Sequence, residues 1–136
     1  MAMGLLRQRL VKEGLDSQYE VRSVGVRAVD GQGASRNAVL VMAERFVDIT
    51  EHVARTITGD DVAKADLILA MSREHARMIN RSWPQYAYKV HLLSEMAGKK
   101  KDVRDPYGGS MREYEASANV ISDYIDQGFE RIIELA

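Results

Sequence analysis

The 136 residues suffice for one domain with its own hydrophobic core and fall short of two ordinary ones, so residues 1–136 are read as a single domain. A hydrophobic share of 46%, a charged share of 29% and a net charge of −1 describe an ordinary globular surface and exclude the broad basic field that a nucleic-acid partner requires. No apolar run approaches the roughly 18 residues of a membrane span, residues 1–14 carry charges where a secretory leader is apolar, and a chain without cysteine has no disulfide, thiolate metal ligand or cysteine nucleophile of its own. The expectation is a cytoplasmic protein without a membrane partner.

The first element is a helix over Met1 to Glu13, where Leu5, Leu6, Leu10 and Val11 recur near helical spacing and Gly14 is the stop signal. "YEVRSVGV" (19–26) alternates apolar and polar residues with β-branched enrichment and predicts a strand. The glycine-bearing "DGQGAS" after it is a loop. Ser35 is suited to cap a second helix whose apolar stripe is Ala38, Val41, Met42 and Phe46. Thr58 and Asp61 stand at capping-box spacing and open a short third helix, followed by "DLILAM" (66–71), a continuous apolar run that suits a strand covered on both faces. Ser72 caps the next helix, Pro84 follows it, and "KVHLL" (89–93) predicts another strand. A last helix begins near Ser110, with Tyr114, Ala118, Ile121, Ile125, Phe129 and Ile132 on one face. Strands alternating with helices imply right-handed crossovers, hence an α/β fold of three layers, a parallel sheet with helices on both faces.

Most polar clusters have a plain reading. "GQG" (31–33) lacks the third glycine and the helix start of a phosphate-binding loop and is read as a connection. His52, His75 and His91 are too far apart for a metal-ligand set, so no metal is expected. The basic run "GKKKDVR" (98–104) is either a solvated loop or a lure for an anionic substrate, and "SWPQYAY" (82–88) either packs at the core edge or forms a partner surface. In "VRDPYGGSMREYE" (103–115), Asp105-Pro106 and Gly108-Gly109 are turn chemistry, and Ser110 with Glu113 makes a second capping-box spacing. An acid, a proline, an aromatic and two glycines in five positions leave Asp105 open as turn residue or catalytic acid.

Taken in order and at these separations, "VRSVGV", "DLILAMSREH", "KVHLL" and "DPYGGSMREY" closely resemble the low-molecular-weight protein-tyrosine phosphatase family, over nearly the whole chain. The resemblance is nearest to the bacterial branch that includes protein-arginine phosphatases. It implies that Asp105 is the general acid that protonates the leaving group, that Tyr107 walls the substrate cleft, that the substrate is a phosphorylated protein, and that no cofactor is needed. It also implies a central first strand and a Cys-x-x-x-x-x-Arg phosphate loop ahead of "MAMGLLRQRL", both outside this chain. The expected consequences are a fold truncated at its N-terminal side, a chain inactive by the family's cysteinyl-phosphate route, and two unpaired edges at 19–26 and 66–71. These edges either pair with one another directly or are filled by a second copy in a homodimer. Two other functions stay open: a pseudo-phosphatase acting as a binding or regulatory module, and reuse of the fold for another small anion.

Overall fold

The computed structural model describes residues 1–136. Six helices α1 to α6 (Ala2–Lys12, Arg36–Glu44, Gly59–Lys64, Arg73–Ser82, Leu93–Met96 and Met111–Leu135) and two strands, β1 (Ile68–Ala70) and β2 (Val90–Leu92), are joined by irregular connections and one 3-10 helix, Pro84–Lys89. The four helix starts expected from serine and threonine form as capped ends. Ser35, Thr58, Ser72 and Ser110 each accept a hydrogen bond from the main-chain N–H three residues on. At Thr58 the box is complete, because the Asp61 carboxylate returns a bond to the Thr58 N–H. A bidentate pair with Arg55 (2.7 and 2.8 Å) adds to it, and these contacts, the Arg55 bonds first, hold the Asp61 carboxyl well below the usual carboxylate range.

The apolar face of α6 is the floor of the molecule. Tyr114, Ala118, Ile121, Tyr124, Ile125, Phe129 and Ile132 are all buried, as the 3.6-residue period requires. All but Phe129 join Leu5 of α1, Ala38, Val41 and Met42 of α2, and Leu93 and Met96 of α5 in one core cluster. Gly128 is where α6 passes closest to a neighbour: a Cβ there would stand 2.5 to 2.8 Å from the Cβ, carbonyl carbon and carbonyl oxygen of Met96.

The sheet is parallel, as expected, with β1 and β2 in register at Ile68↔Val90, Leu69↔His91 and Ala70↔Leu92. It has only these two strands. The expected strand over 19–26 is not one. The segment is irregular backbone fastened at Gly25, whose N–H donates to the Arg55 carbonyl and whose carbonyl accepts from Ile57 N–H, and at Val21, whose carbonyl accepts from the Arg7 guanidinium. Alternating β-branched residues favour extended backbone, but a strand exists only against a neighbour, and the one pairing here is the isolated parallel bridge Gly25↔Thr56, which does not extend into a ladder. Direct closure of 19–26 onto 66–71 therefore does not occur.

Two apolar positions also depart from expectation. Phe46 is 95% exposed, because α2 ends before it: Phe46 N–H donates to Ala43 O and Val47 N–H to Met42 O, the two bonds of a Schellman stop, with Phe46 at φ 61°. Val47, one residue on, takes the buried place beside Met42. Val11, expected on the buried stripe of α1, is exposed, while Leu5 and Leu10 are buried. The aromatic run 82–88 divides: Trp83 lies against Gly59, Tyr86 lies under the Lys89 ammonium, and Tyr88 faces solvent. Lys89 itself is buried, and its Nζ donates to the carbonyls of Ala63 and Ala65, closing the C-terminal end of α3.

Gly128→Ala is expected to lower stability by about 1–3 kcal/mol, because the new methyl meets Met96 backbone that cannot rotate away. Denaturant unfolding monitored by circular dichroism checks this, and an unchanged midpoint contradicts the close approach.

Candidate functional site

Asp105 stands on the connection between α5 and α6, and that connection is fastened along its length. The Ser94 hydroxyl exchanges hydrogen bonds with both main-chain groups of Lys101 (2.7 and 3.0 Å). The Asp102 carboxylate accepts from Arg73 N–H and Nε at the start of α4, and these bonds hold its pKa below the usual range. Val103 is buried and donates to Met71 O just after β1, and the Arg104 carbonyl accepts from the Ser117 hydroxyl of α6. Beyond these ties the chain makes a tight turn. Asp105 Oδ1 accepts from Tyr107 N–H at 3.0 Å, Gly109 N–H donates to Pro106 O at 2.7 Å, and Gly108 has φ 76°. An aspartate bonded to the main chain two residues on is an Asx turn, and only the glycine takes a left-handed backbone without cost.

The turn is held from the other side by α2. Asn37 Nδ2 donates to Gly109 O at 3.1 Å, and the Ser35 hydroxyl, which caps α2, donates to the Tyr114 hydroxyl at 3.0 Å. The second capping box forms only by half: Ser110 Oγ accepts from Glu113 N–H, while the Glu113 carboxylate lies against Gly109, a position with no room for a side chain.

Asp105, Pro106 and Tyr107 form one wall of a cleft of about 280 Å³ that opens at the N-terminal end of α1. Met1, Met3 and Gly4 form its floor, and Ser23, Gln32 to Ser35, Ala38, Ile49, His52 and Tyr114 complete it. Both residues expected at the site, Asp105 and Tyr107, thus line the same cleft, and both are exposed. The residues 31–33 contribute as an ordered turn. Gly31 N–H donates to Ala54 O, Ala54 N–H donates to Gln32 O, and the Asp30 carboxylate accepts from the Thr56 hydroxyl and N–H, which lower its pKa. This lacing places Gln32 and Gly33 in the cleft wall without any phosphate-loop geometry.

No lysine or arginine side chain lines the cleft. The basic run does not reach it: the Lys99 ammonium lies over the Tyr124 ring, and Lys100, Lys101 and Arg104 are exposed elsewhere. Burial lowers the His52 pKa, with help from positive charges that include Arg7, so the imidazole is neutral at pH 7. No three His, Asp or Glu residues come together in a metal-ligand grouping. His52, Ser23, Ser35 and Tyr114 line the cleft, a placement that the sequence alone did not assign to any of them. Ser35 carries a helix-cap signal that conceals its second contact, and His52 belongs to no local motif.

Comparisons with known proteins agree with this architecture. The model of the family described as low molecular weight phosphotyrosine protein phosphatase matches residues 1–134. The probable low molecular weight protein-tyrosine-phosphatase EpsP of Ralstonia solanacearum is 37% identical over 132 residues, 97% of this chain and 86% of that protein. The protein-arginine-phosphatase of Bacillus subtilis is 33% identical over 128 residues, 93% of this chain and 83% of that one. Among solved structures, the low molecular weight protein tyrosine phosphatase from T. tengcongensis superposes with a TM-score of 0.90 at 35% identity, covering 96% of this chain and 88% of that one. With a family match across nearly every residue and a fold that superposes on solved members, the chain belongs to the low molecular weight phosphotyrosine protein phosphatase family.

Proposed function

We propose that this chain carries the proton-donor half of a protein phosphatase site, with Asp105 as general acid and Tyr107 as a wall of the cleft that admits a phosphorylated tyrosine or arginine side chain. The observation that carries the reading is the joint placement of Asp105, Pro106 and Tyr107 on a cleft at the start of a helix. A carboxyl suits the task because a phenoxide or guanidine nitrogen leaves far more readily when a proton arrives with it. Pro106 limits the backbone freedom of the turn, and the fastened connection behind it fixes the direction of the carboxyl.

The other half of the chemistry is a low-pKa thiolate that attacks phosphorus, with main-chain N–H groups and an arginine stabilising the equatorial oxygens. These 136 residues include no cysteine, and the cleft has no arginine. The two serines in the cleft do not replace the thiol. Ser35 Oγ already donates to Tyr114 and accepts from Ala38 N–H, and no hydrogen bond joins Ser23 to His52. By this reading the polypeptide of 136 residues does not turn over phosphate monoesters or phosphoramidates through a cysteinyl-phosphate. It works in the cytoplasm on the family's protein substrates only when the nucleophile and phosphate cradle are supplied with it.

The pseudo-phosphatase reading, a module that binds a phosphorylated ligand without reaction, fits the cleft less well. A phosphate dianion there meets the Asp105 carboxylate, a neutral His52 and no cationic side chain.

Three measurements test these statements. Purified protein is expected to release no phosphate from phosphoarginine or an aryl phosphate above the buffer rate, and turnover that survives a thiol-blocking reagent overturns the reading. Millimolar inorganic phosphate is expected to leave Tm unchanged in a thermal shift assay, since a ligand stabilises only a state that binds it, whereas a saturable rise favours the binding module. His52 provides a pH dependence: its pKa is lower folded than unfolded, so its contribution to stability is present above about pH 6.5 and is lost as pH falls below that toward the folded pKa. Urea midpoints measured from pH 7.5 to 5 should fall, and His52→Gln should flatten the fall.

A further inference from the structure

The basic side chains outside the cleft form a surface that the chemistry within it does not use. Arg73 and Arg77 stand one helical turn apart on α4 and share a face of it. Asp102 accepts from Arg73 N–H and Nε, and besides these bonds the charges of Arg73 and Arg77 lower its pKa, so Arg77 as well as Arg73 lies near the connection between α5 and α6. Lys100, Lys101 and Arg104 lie on that connection, each within two residues of Asp102. At no more than ~3.6 Å per residue, their Cα atoms all stand within about 7 Å of that of Asp102. All five basic residues are exposed.

Cations from two separate stretches of the chain thus meet around one carboxylate, and the other nearby acids do not balance them. Glu74 faces Arg27 at 3.6 Å, the Glu95 carboxylate accepts from Leu92 N–H and lies by His91, and Asp105 lines the cleft. Arg73 has Asp102, whereas Arg77, Lys100, Lys101 and Arg104 have no ion pair within the protein. What separates this cluster from a solvated charge run is its rigidity. Ser94 bonds both main-chain groups of Lys101, Val103 is buried, and the Arg104 carbonyl accepts from Ser117, so the backbone that carries the charges is ordered before any ligand arrives.

The charge distribution also selects the kind of ligand. The chain as a whole has a net charge of −1, so the cluster is not the local expression of a basic protein. α6, tied to the same connection at Ser117, presents exposed Glu113, Glu115 and Asp123. A long polyanion or a flat anionic membrane approaching the cluster also meets those acids, whereas a short acidic segment of polypeptide addresses the cations alone.

We propose that Arg73, Arg77, Lys100, Lys101 and Arg104 form a docking surface for an acidic segment of a partner protein, a run of Asp and Glu side chains whose carboxylates pair with the guanidinium and ammonium groups. Arginine suits carboxylates because its planar fork bonds both oxygens. The surface adjoins the cleft through Arg104, yet it requires neither Asp105 as general acid nor any reaction in the cleft.

Fluorescence anisotropy of a labelled Asp/Glu peptide titrated with the purified chain is expected to show saturable binding at low ionic strength. That binding should weaken about tenfold or more between about 20 and 200 mM salt, as screening shortens the reach of exposed charges. No saturable binding at low salt overturns the proposal. Arg77→Glu combined with Lys101→Glu is expected to weaken binding about tenfold or more, through lost pairs and new repulsions. The same change of charge at Lys12 of α1 and Arg131 of α6 is expected to alter it little. Equal weakening by both pairs of substitutions means that net charge alone drives association, and overturns the assigned surface. Should the Arg77 and Lys101 reversal lose its circular dichroism, Arg77→Gln and Lys101→Gln decide singly, each with an expected loss of about two- to fivefold. No loss from either overturns the surface. Duplex DNA or phosphatidylserine vesicles that displace the peptide and bind more tightly than it does overturn the polypeptide partner.

Discussion

The burial of one face of α6 is the constraint on which the rest of this molecule depends. A helix of 25 residues with Tyr114 to Ile132 along one side needs a continuous apolar cover, and α1, α2 and α5 provide it from three separate parts of the chain. The closest of these contacts, Gly128 on Met96, sets the separation of α6 from α5. Since α5 follows β2 directly, the position of α6 is passed to the sheet, and the connection between α5 and α6 is drawn across the end of both.

The cleft inherits its shape from that arrangement. Its acid-bearing turn is not a free loop but a bridge, tied to α4 through Asp102, to the end of β1 through Val103, to α6 through Ser117 and to α2 through Asn37. Each tie is one or two hydrogen bonds, with each bond worth on the order of 1 kcal/mol. Their number, spread over four elements, is what makes the direction of the turn a property of the whole fold. The opposite wall is built by the same means, with Asp30 and Thr56 lacing the 31–33 turn to residues 53–57. The cleft is therefore shaped by both walls, with no lysine or arginine side chain in its lining.

Local signals were legible wherever the determinants lie within a few residues of one another. The caps at Ser35, Thr58, Ser72 and Ser110 and the stripe of α6 follow from side-chain oxygens and from helical period, and they form as the sequence implies. The segment 19–26 shows the limit: its alternation encodes an extended backbone, but pairing depends on what lies beside it, which no local pattern records. Phe46 shows another limit, since hydrophobicity alone cannot tell the last buried residue of a helix from the first residue beyond its stop. At the site, Asp105 and Tyr107 came from a motif, whereas His52 and Ser23 arrive in the cleft by tertiary folding from positions with no shared spacing.

The Asx turn at Asp105 has a consequence for the carboxyl itself. Because Oδ1 is engaged by the Tyr107 N–H, the two oxygens are no longer equivalent: one serves the backbone as an acceptor, and the other is the free terminus. A group arriving in the cleft meets Oδ2 without disturbing the turn, whereas engaging Oδ1 competes with the bond that shapes it. A freely rotating carboxyl group presents two interchangeable oxygens over a wide arc, whereas this one presents a single free oxygen in a direction written into it by two residues of its own loop.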